Sequence, residues 1–102
     1  MKLLMVTCVQ EYKAAVTRVF AEAGIRIFSI TETVGVKSER DENLLDDWFG
    51  SKDGEYRSLI VFSFAAEAAV QEAMRRIDLF NEKEAGGFPV RAFVMPVEAS
   101  NL

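Results

Sequence analysis

The chain contains no histidine and a single cysteine, Cys8. Without an imidazole, Ser-His and Cys-His nucleophile pairs and histidine-containing metal sites are excluded. Cys8 lies inside the apolar run Leu3–Val9, and a thiol packed into a buried strand is inert rather than nucleophilic. Neither a P-loop nor a Gly-x-Gly-x-x-Gly pattern is present to cradle phosphates. The carboxylates Asp41, Glu42, Asp46 and Asp47 offer hard oxygen ligands, but their spacing matches no calcium loop. They are expected to form a solvated acidic face and not a metal centre. The chemistry left is binding: a non-enzyme that requires no cofactor. Lys37, Arg57 and Arg91 fall at predicted strand ends, the last of them beside Gly86-Gly87. Backbone amides of a glycine-rich turn, together with a base, can receive a phosphate.

Charge singles out one segment. Residues Lys37–Glu55 carry three bases and seven acids, which is the whole net charge of −4. A neutral body with an acidic appendage has no electrostatic footprint for nucleic acid, which needs a basic face. At roughly twenty residues the segment far exceeds the usual connection of about 4–6, and such loops tend to carry function. Inside it, Asn43 and Gly50 would cap a short helix with Leu44, Leu45, Trp48 and Phe49 on one side. That stripe reads equally well as a docking element for a partner's groove and as a satellite cluster folded onto this chain or a neighbour.

The elements that position these residues follow from periodicity. Residues 3–9 form a short apolar strand. From Tyr12 the spacing changes to Val16, Val19, Phe20 and Ala23, one face of a helix, stopped by Gly24. Ile25–Val36, rich in Ile, Phe, Thr and Val, reads as a second strand. After the acidic segment, Ser58–Phe64 is a third strand. Ala66, Ala69, Val70, Ala73, Met74, Ile77 and Phe80 mark the inner face of a second helix, with Glu72 and Arg76 paired outside. A Gly-Gly-Phe-Pro turn follows, then a last strand Val90–Val97, where Pro96 indicates an edge or a bulge. The order βαββαβ predicts an α+β, ferredoxin-like sandwich: a four-stranded antiparallel sheet with both helices on one face. Its 102 residues fit one domain, residues 1–102. No apolar stretch approaches the roughly 20 residues that span a bilayer. A single cysteine excludes an internal disulfide, so a cytoplasmic location is expected.

That architecture predicts association. Ile60, Phe62 and Phe64 alternate with Leu59 and Val61, and Phe93, Met95 and Val97 with Ala92 and Val94, so both sheet faces are apolar. The face away from the helices would be an association surface. A closed homo-oligomer is expected.

The order of elements and two local runs resemble the PII signal-transduction family, over almost the whole chain. One run is Ala21-Glu22-Ala23-Gly24-Ile25-Arg26, continuing through Ser29-Ile30-Thr31-Glu32 to Gly35. The other, more specific, is Arg91-Ala92-Phe93-Val94-Met95-Pro96-Val97-Glu98. The resemblance implies a homotrimer with an adenine nucleotide (ATP, ADP or AMP) as effector in each inter-subunit cleft. It also implies a T-loop, here Lys37–Glu55, that contacts a regulated membrane transporter or enzyme. Carried over by position, Ser29 faces the base, and Gly35, Lys37 and Glu39 form the loop root. Gly86 and Gly87 approach the phosphates, and Arg91 replaces a lysine that pairs with them. The family's Gly-Asp-Gly-Lys turn is here Gly87-Phe88-Pro89-Val90-Arg91, in which proline removes an amide donor. The loop lacks the tyrosine that nitrogen-regulating members modify. These departures place the resemblance with a divergent branch.

Other uses of the fold predict different properties. An RNA-binding RRM needs a basic sheet with stacking aromatics, which the neutral body does not provide. A CutA-like trimer binding metal typically lacks so long an acidic loop. An ACT-type small-molecule sensor shares the topology but usually accompanies an enzyme, and its subunit number would separate it from a trimer. The loop reading carries its own test, because Trp48 is the sole tryptophan. Addition of ADP is expected to shift its fluorescence, and Trp48→Ala with Phe49→Ala to leave the melting temperature unchanged. A lowered melting temperature with partner capture intact would mark the stripe as packing.

Overall fold

Val16, Val19 and Phe20 recur at helical spacing, and in the structure they form the buried face of helix α1 (Lys13–Glu22). The structure is a computed structural model that describes residues 1–37 and 54–102, with residues 37 and 54–56 described in their main chain only. The elements follow in the order β1 (Lys2–Cys8), a 3-10 turn (Gln10–Tyr12), α1, β2 (Ser29–Lys37), β3 (Gly54–Ala65), α2 (Glu67–Lys83) and β4 (Arg91–Pro96). The strands form one antiparallel sheet in the order β2-β3-β1-β4. This is the expected ferredoxin-like βαββαβ sandwich.

One face of the sheet holds the core. Leu4, Val6 and Cys8 of β1 and Leu59 and Val61 of β3 are buried with Val16, Val19 and Phe20 of α1 and Val70, Ala73 and Ile77 of α2. Phe20 is fully buried and meets Phe28 edge-on at 5.3 Å. Burying side chains of this size contributes about 1.5–3 kcal/mol each. Outside, Arg75 and Arg76 both pair with Glu72 at 2.7 Å, and Arg76 reaches Glu22 of α1 at 3.3 Å. The Arg75 and Arg76 guanidiniums hold the Glu72 carboxyl down to about 2. Exposed pairs like these add little stability; of the three, Arg76–Glu22 is the one that runs from α2 to α1.

The second strand begins later than its composition indicates, at Ser29 and not at Ile25. Residues 24 and 25 complete the end of α1 instead. Gly24, at φ +86°, donates its N–H to the Ala21 carbonyl, and Ile25 donates to the Phe20 carbonyl. This is the Schellman closure, whose apolar contact falls between the residue after the glycine and the last helical turn. Ile25 is buried in the core for that reason. The last strand likewise begins at Arg91, because the main chain of Val90 is bonded to Asn81.

The other face carries no helix. The strand register sets out its rows: Met95, Leu3 and Phe64; then Phe93, Met5, Phe62 and Ser29; then Arg91, Thr7, Ile60 and Thr31. Phe64 is 56% exposed, Phe93 41% and Met95 37%. The apolar rows lie at one end, and the row with Arg91 and Thr7 starts a polar end.

The core predicts a sharp response to one truncation. Phe20→Ala is expected to cost about 3–5 kcal/mol, the range for a buried phenylalanine, read as a lower urea midpoint with an unchanged m-value. A change below 1 kcal/mol would place Phe20 outside the core.

Candidate functional site

The residues singled out in the sequence divide between the two edges of the sheet. Ser29 opens β2 and is exposed; Gly35 lies further along the same strand, and Lys37 ends it. Six residues of strand at about 3.3 Å each separate Ser29 from Gly35 by roughly 20 Å. Gly86, Gly87 and Arg91 belong to the opposite edge, in the α2–β4 connection and at the first position of β4. Two central strands intervene, so the edges are about 14 Å apart at a strand spacing of about 4.8 Å. The single chain therefore does not gather these residues around one point. Glu39, Leu44, Leu45, Trp48 and Phe49, with the acids Asp41, Glu42, Asp46 and Asp47, lie outside the described residues.

The glycine turn has a defined geometry. The Phe88 N–H bonds to the Ala85 carbonyl at 3.3 Å. Gly86, at φ +57°, sits at the first central position, where a side chain costs roughly 1–2 kcal/mol. Gly87 has no such φ, and a Cβ built on it meets nothing within 4 Å. Among the described residues, the N–H groups of Gly86 and Gly87 donate to no acceptor. Two free amides on a solvent-facing turn are the anion-receiving feature that the sequence indicated.

Arg91 stands at the polar end of the open face. Arg91 as a whole is half-buried, and its Nε, like the Ser58 hydroxyl, is buried without a hydrogen-bond partner. Leaving such a group unpaired costs about 1–3 kcal/mol. Thr7, next to Arg91 in the register, is also buried. Sequence reasoning missed Thr7 and Ser58 as parts of this region; the signal was a hydroxyl at an otherwise apolar strand position. At the edge of β2, Gln10 Nε2 donates to Glu32 Oε1 at 2.9 Å. These side chains line a shallow depression of about 300 Å³ with Lys13, Ile30 and Leu59.

The chain's single thiol is buried. Cys8 is 5% exposed, and burial pushes its thiol from an ordinary 9.0 up to about 11. Among the described residues, no group of three or more His, Cys, Asp or Glu side chains converges as for a metal. No described helix is long and apolar enough to cross a membrane.

No family model matches the chain, and no curated protein matches its sequence. In three dimensions it is similar to CPII, a nitrogen regulatory PII-like protein from Thiomonas intermedia K12, in a structure bound to ADP, AMP and bicarbonate. The TM-score is 0.68 at 16% identity, covering 99% of this chain and 93% of that one. What the two share is the fold, and it runs over nearly the full length of both.

The Cys8 thiol gives a direct check on the site chemistry. Its raised value means that the neutral thiol is favoured by folding. That stability is full below about pH 9 and is lost as pH rises through about 11. At pH 8 a thiol-specific reagent is expected to label the native protein slowly, through opening of the fold, and the denatured chain rapidly. Rapid labelling of the native protein would contradict a buried, inert Cys8.

Proposed function

We propose that this chain is a cytoplasmic PII-like regulator that works by binding. Copies associate through the open sheet face into a homotrimer. An adenine nucleotide, ADP or AMP in the first instance, binds between neighbouring subunits. The residues Ser29, Gly35, Lys37 and Glu39 contribute from the β2 side, and Gly86, Gly87 and Arg91 from the β4 side. Lys37–Glu55 is the output loop, with Leu44, Leu45, Trp48 and Phe49 presented to a transporter or enzyme.

One observation carries the reading. The residues expected to meet the ligand lie on opposite edges of the sheet and some 20 Å apart along β2, by strand dimensions. A second copy, laid against the apolar face, can supply what a single copy holds too far away. The groups on the β4 side have the chemistry for an anion: free glycine amides and a guanidinium whose Nε is buried without a partner. The shared fold with a protein bound to ADP, AMP and bicarbonate supports the choice of these ligands as probes. Pro89 makes the turn poorer in amide donors than the family pattern, which places more of the phosphate contact on Arg91.

Two substitutions separate binding from folding. Gly87→Ala is expected to fold normally, because its Cβ meets nothing within 4 Å, yet to weaken ADP by standing where a phosphate would approach. Arg91→Ala removes a charge-assisted bond, on the order of 1.5–3 kcal/mol, and so weakens ADP by roughly tenfold or more. Calorimetry on the wild-type protein that detects neither ADP nor AMP at millimolar concentration would overturn the proposal.

A further inference from the structure

The connection between α2 and β4 is gripped at both ends by side chains from elsewhere. Asn81 Nδ2 donates to the Val90 carbonyl, and the Val90 N–H donates back to Asn81 Oδ1, both at 2.8 Å. The side-chain amide does for Val90 what a neighbouring strand does for a paired residue. Ladder pairing of β4 starts one residue later, at Arg91 opposite Thr7. At the other end, the Tyr12 hydroxyl donates to the Ala85 carbonyl at 2.6 Å. The Tyr12 ring stands edge-on to Phe80 at 5.1 Å, so the phenol is steered by packing before its bond is made. The Ala85 carbonyl also accepts the Phe88 N–H that closes the turn.

Ala85 and Val90 are both buried, while Gly86, Gly87 and Phe88 between them are exposed. The segment thus has fixed feet and a free crest. A crest whose amides are already aimed loses less conformational entropy when a ligand arrives, so part of the ordering cost of binding is met in advance. The Phe80 contact of Tyr12 belongs to its ring and not to its hydroxyl, so the hydroxyl can be removed without disturbing that packing.

We infer that Asn81 and Tyr12 are positioning residues of the effector site, holding the Gly86–Gly87 turn in the form that receives an anionic ligand. The inference rests on the assignment of that turn to the effector. Neither side chain touches the ligand; each acts through the main chain of the turn.

The test compares wild-type protein with Tyr12→Phe and Asn81→Ala, using ADP as the calorimetric probe and amide hydrogen exchange of Gly86, Gly87 and Phe88 in the absence of ligand. Tyr12→Phe keeps the ring contact and is expected to fold, with a melting temperature lowered by several degrees for the one lost hydrogen bond. Its dissociation constant for ADP should rise roughly two- to tenfold, the factor set by one neutral hydrogen bond. Exchange should quicken at the turn in both variants and stay slow at Val6 in β1. If Asn81→Ala fails to fold, Tyr12→Phe decides alone. ADP binding by wild-type protein with the Tyr12→Phe constant unchanged, or turn exchange unchanged, overturns the positioning role and leaves the effector reading standing. Wild-type protein that binds neither ADP nor AMP removes the effector reading, and this inference falls with it.

Discussion

Both helices pack on the same face of a four-stranded sheet, and that single constraint shapes everything else. The central strands β1 and β3 must bury one set of alternate residues against the helices. Leu4, Val6, Leu59 and Val61 do so. The other set, Leu3, Met5, Ile60, Phe62 and Phe64, has nothing from its own helices to cover it. A surface of this kind is the sort that marks an interaction site. At about 1.5–3 kcal/mol for each large side chain removed from water, the two apolar rows supply ample driving force for association of copies. Their position at one end leaves Arg91, Thr7 and Ser58 at the other, where polar contacts can be made.

The same constraint explains why the candidate site is divided. In this strand order the edges are β2 and β4, and the connections with chemical potential leave from those edges. The chain after Lys37 departs from β2, and the glycine turn enters β4. A monomer keeps them apart by the width of its sheet. An assembly built on the open face brings edges of different copies into reach, so on the proposed reading association and ligand binding are one problem. A ligand lodged between copies binds the assembly better than its parts, and the assembly must tighten as the ligand is added.

Much of this was legible in the residues. The spacing of Val16, Val19 and Phe20, and of Val70, Ala73 and Ile77, gave both helices and their inner faces. The alternation through Ile60, Phe62 and Phe64 gave the second apolar face, and Pro96 the edge position of β4. Where local composition misled, a tertiary demand had overridden it. Ile25 looks like strand, but the Schellman closure after Gly24 claims it for the end of α1 and the core. Val90 looks like strand, but Asn81 occupies its main chain. The grips on the turn were not readable at all. Tyr12 and Ala85 are 73 residues apart and Asn81 and Val90 nine, and no periodicity encodes either bond. Thr7 and Ser58 passed as ordinary strand residues because their burial depends on neighbours from other strands. Of the site, the glycine turn and Arg91 could be named from type and spacing, but their separation from Ser29 needed the sheet order.

The central claim is that the open face is covered by further copies of this chain, three in all. The most direct measurement is the mass in solution by multi-angle light scattering, at micromolar concentration and without ligand. A trimer gives three times the subunit mass of 11.4 kDa. A stable, well-folded monomer of 11.4 kDa would contradict the claim, because the open-face rows that hold Phe62, Phe64 and Met95 would then be left to water.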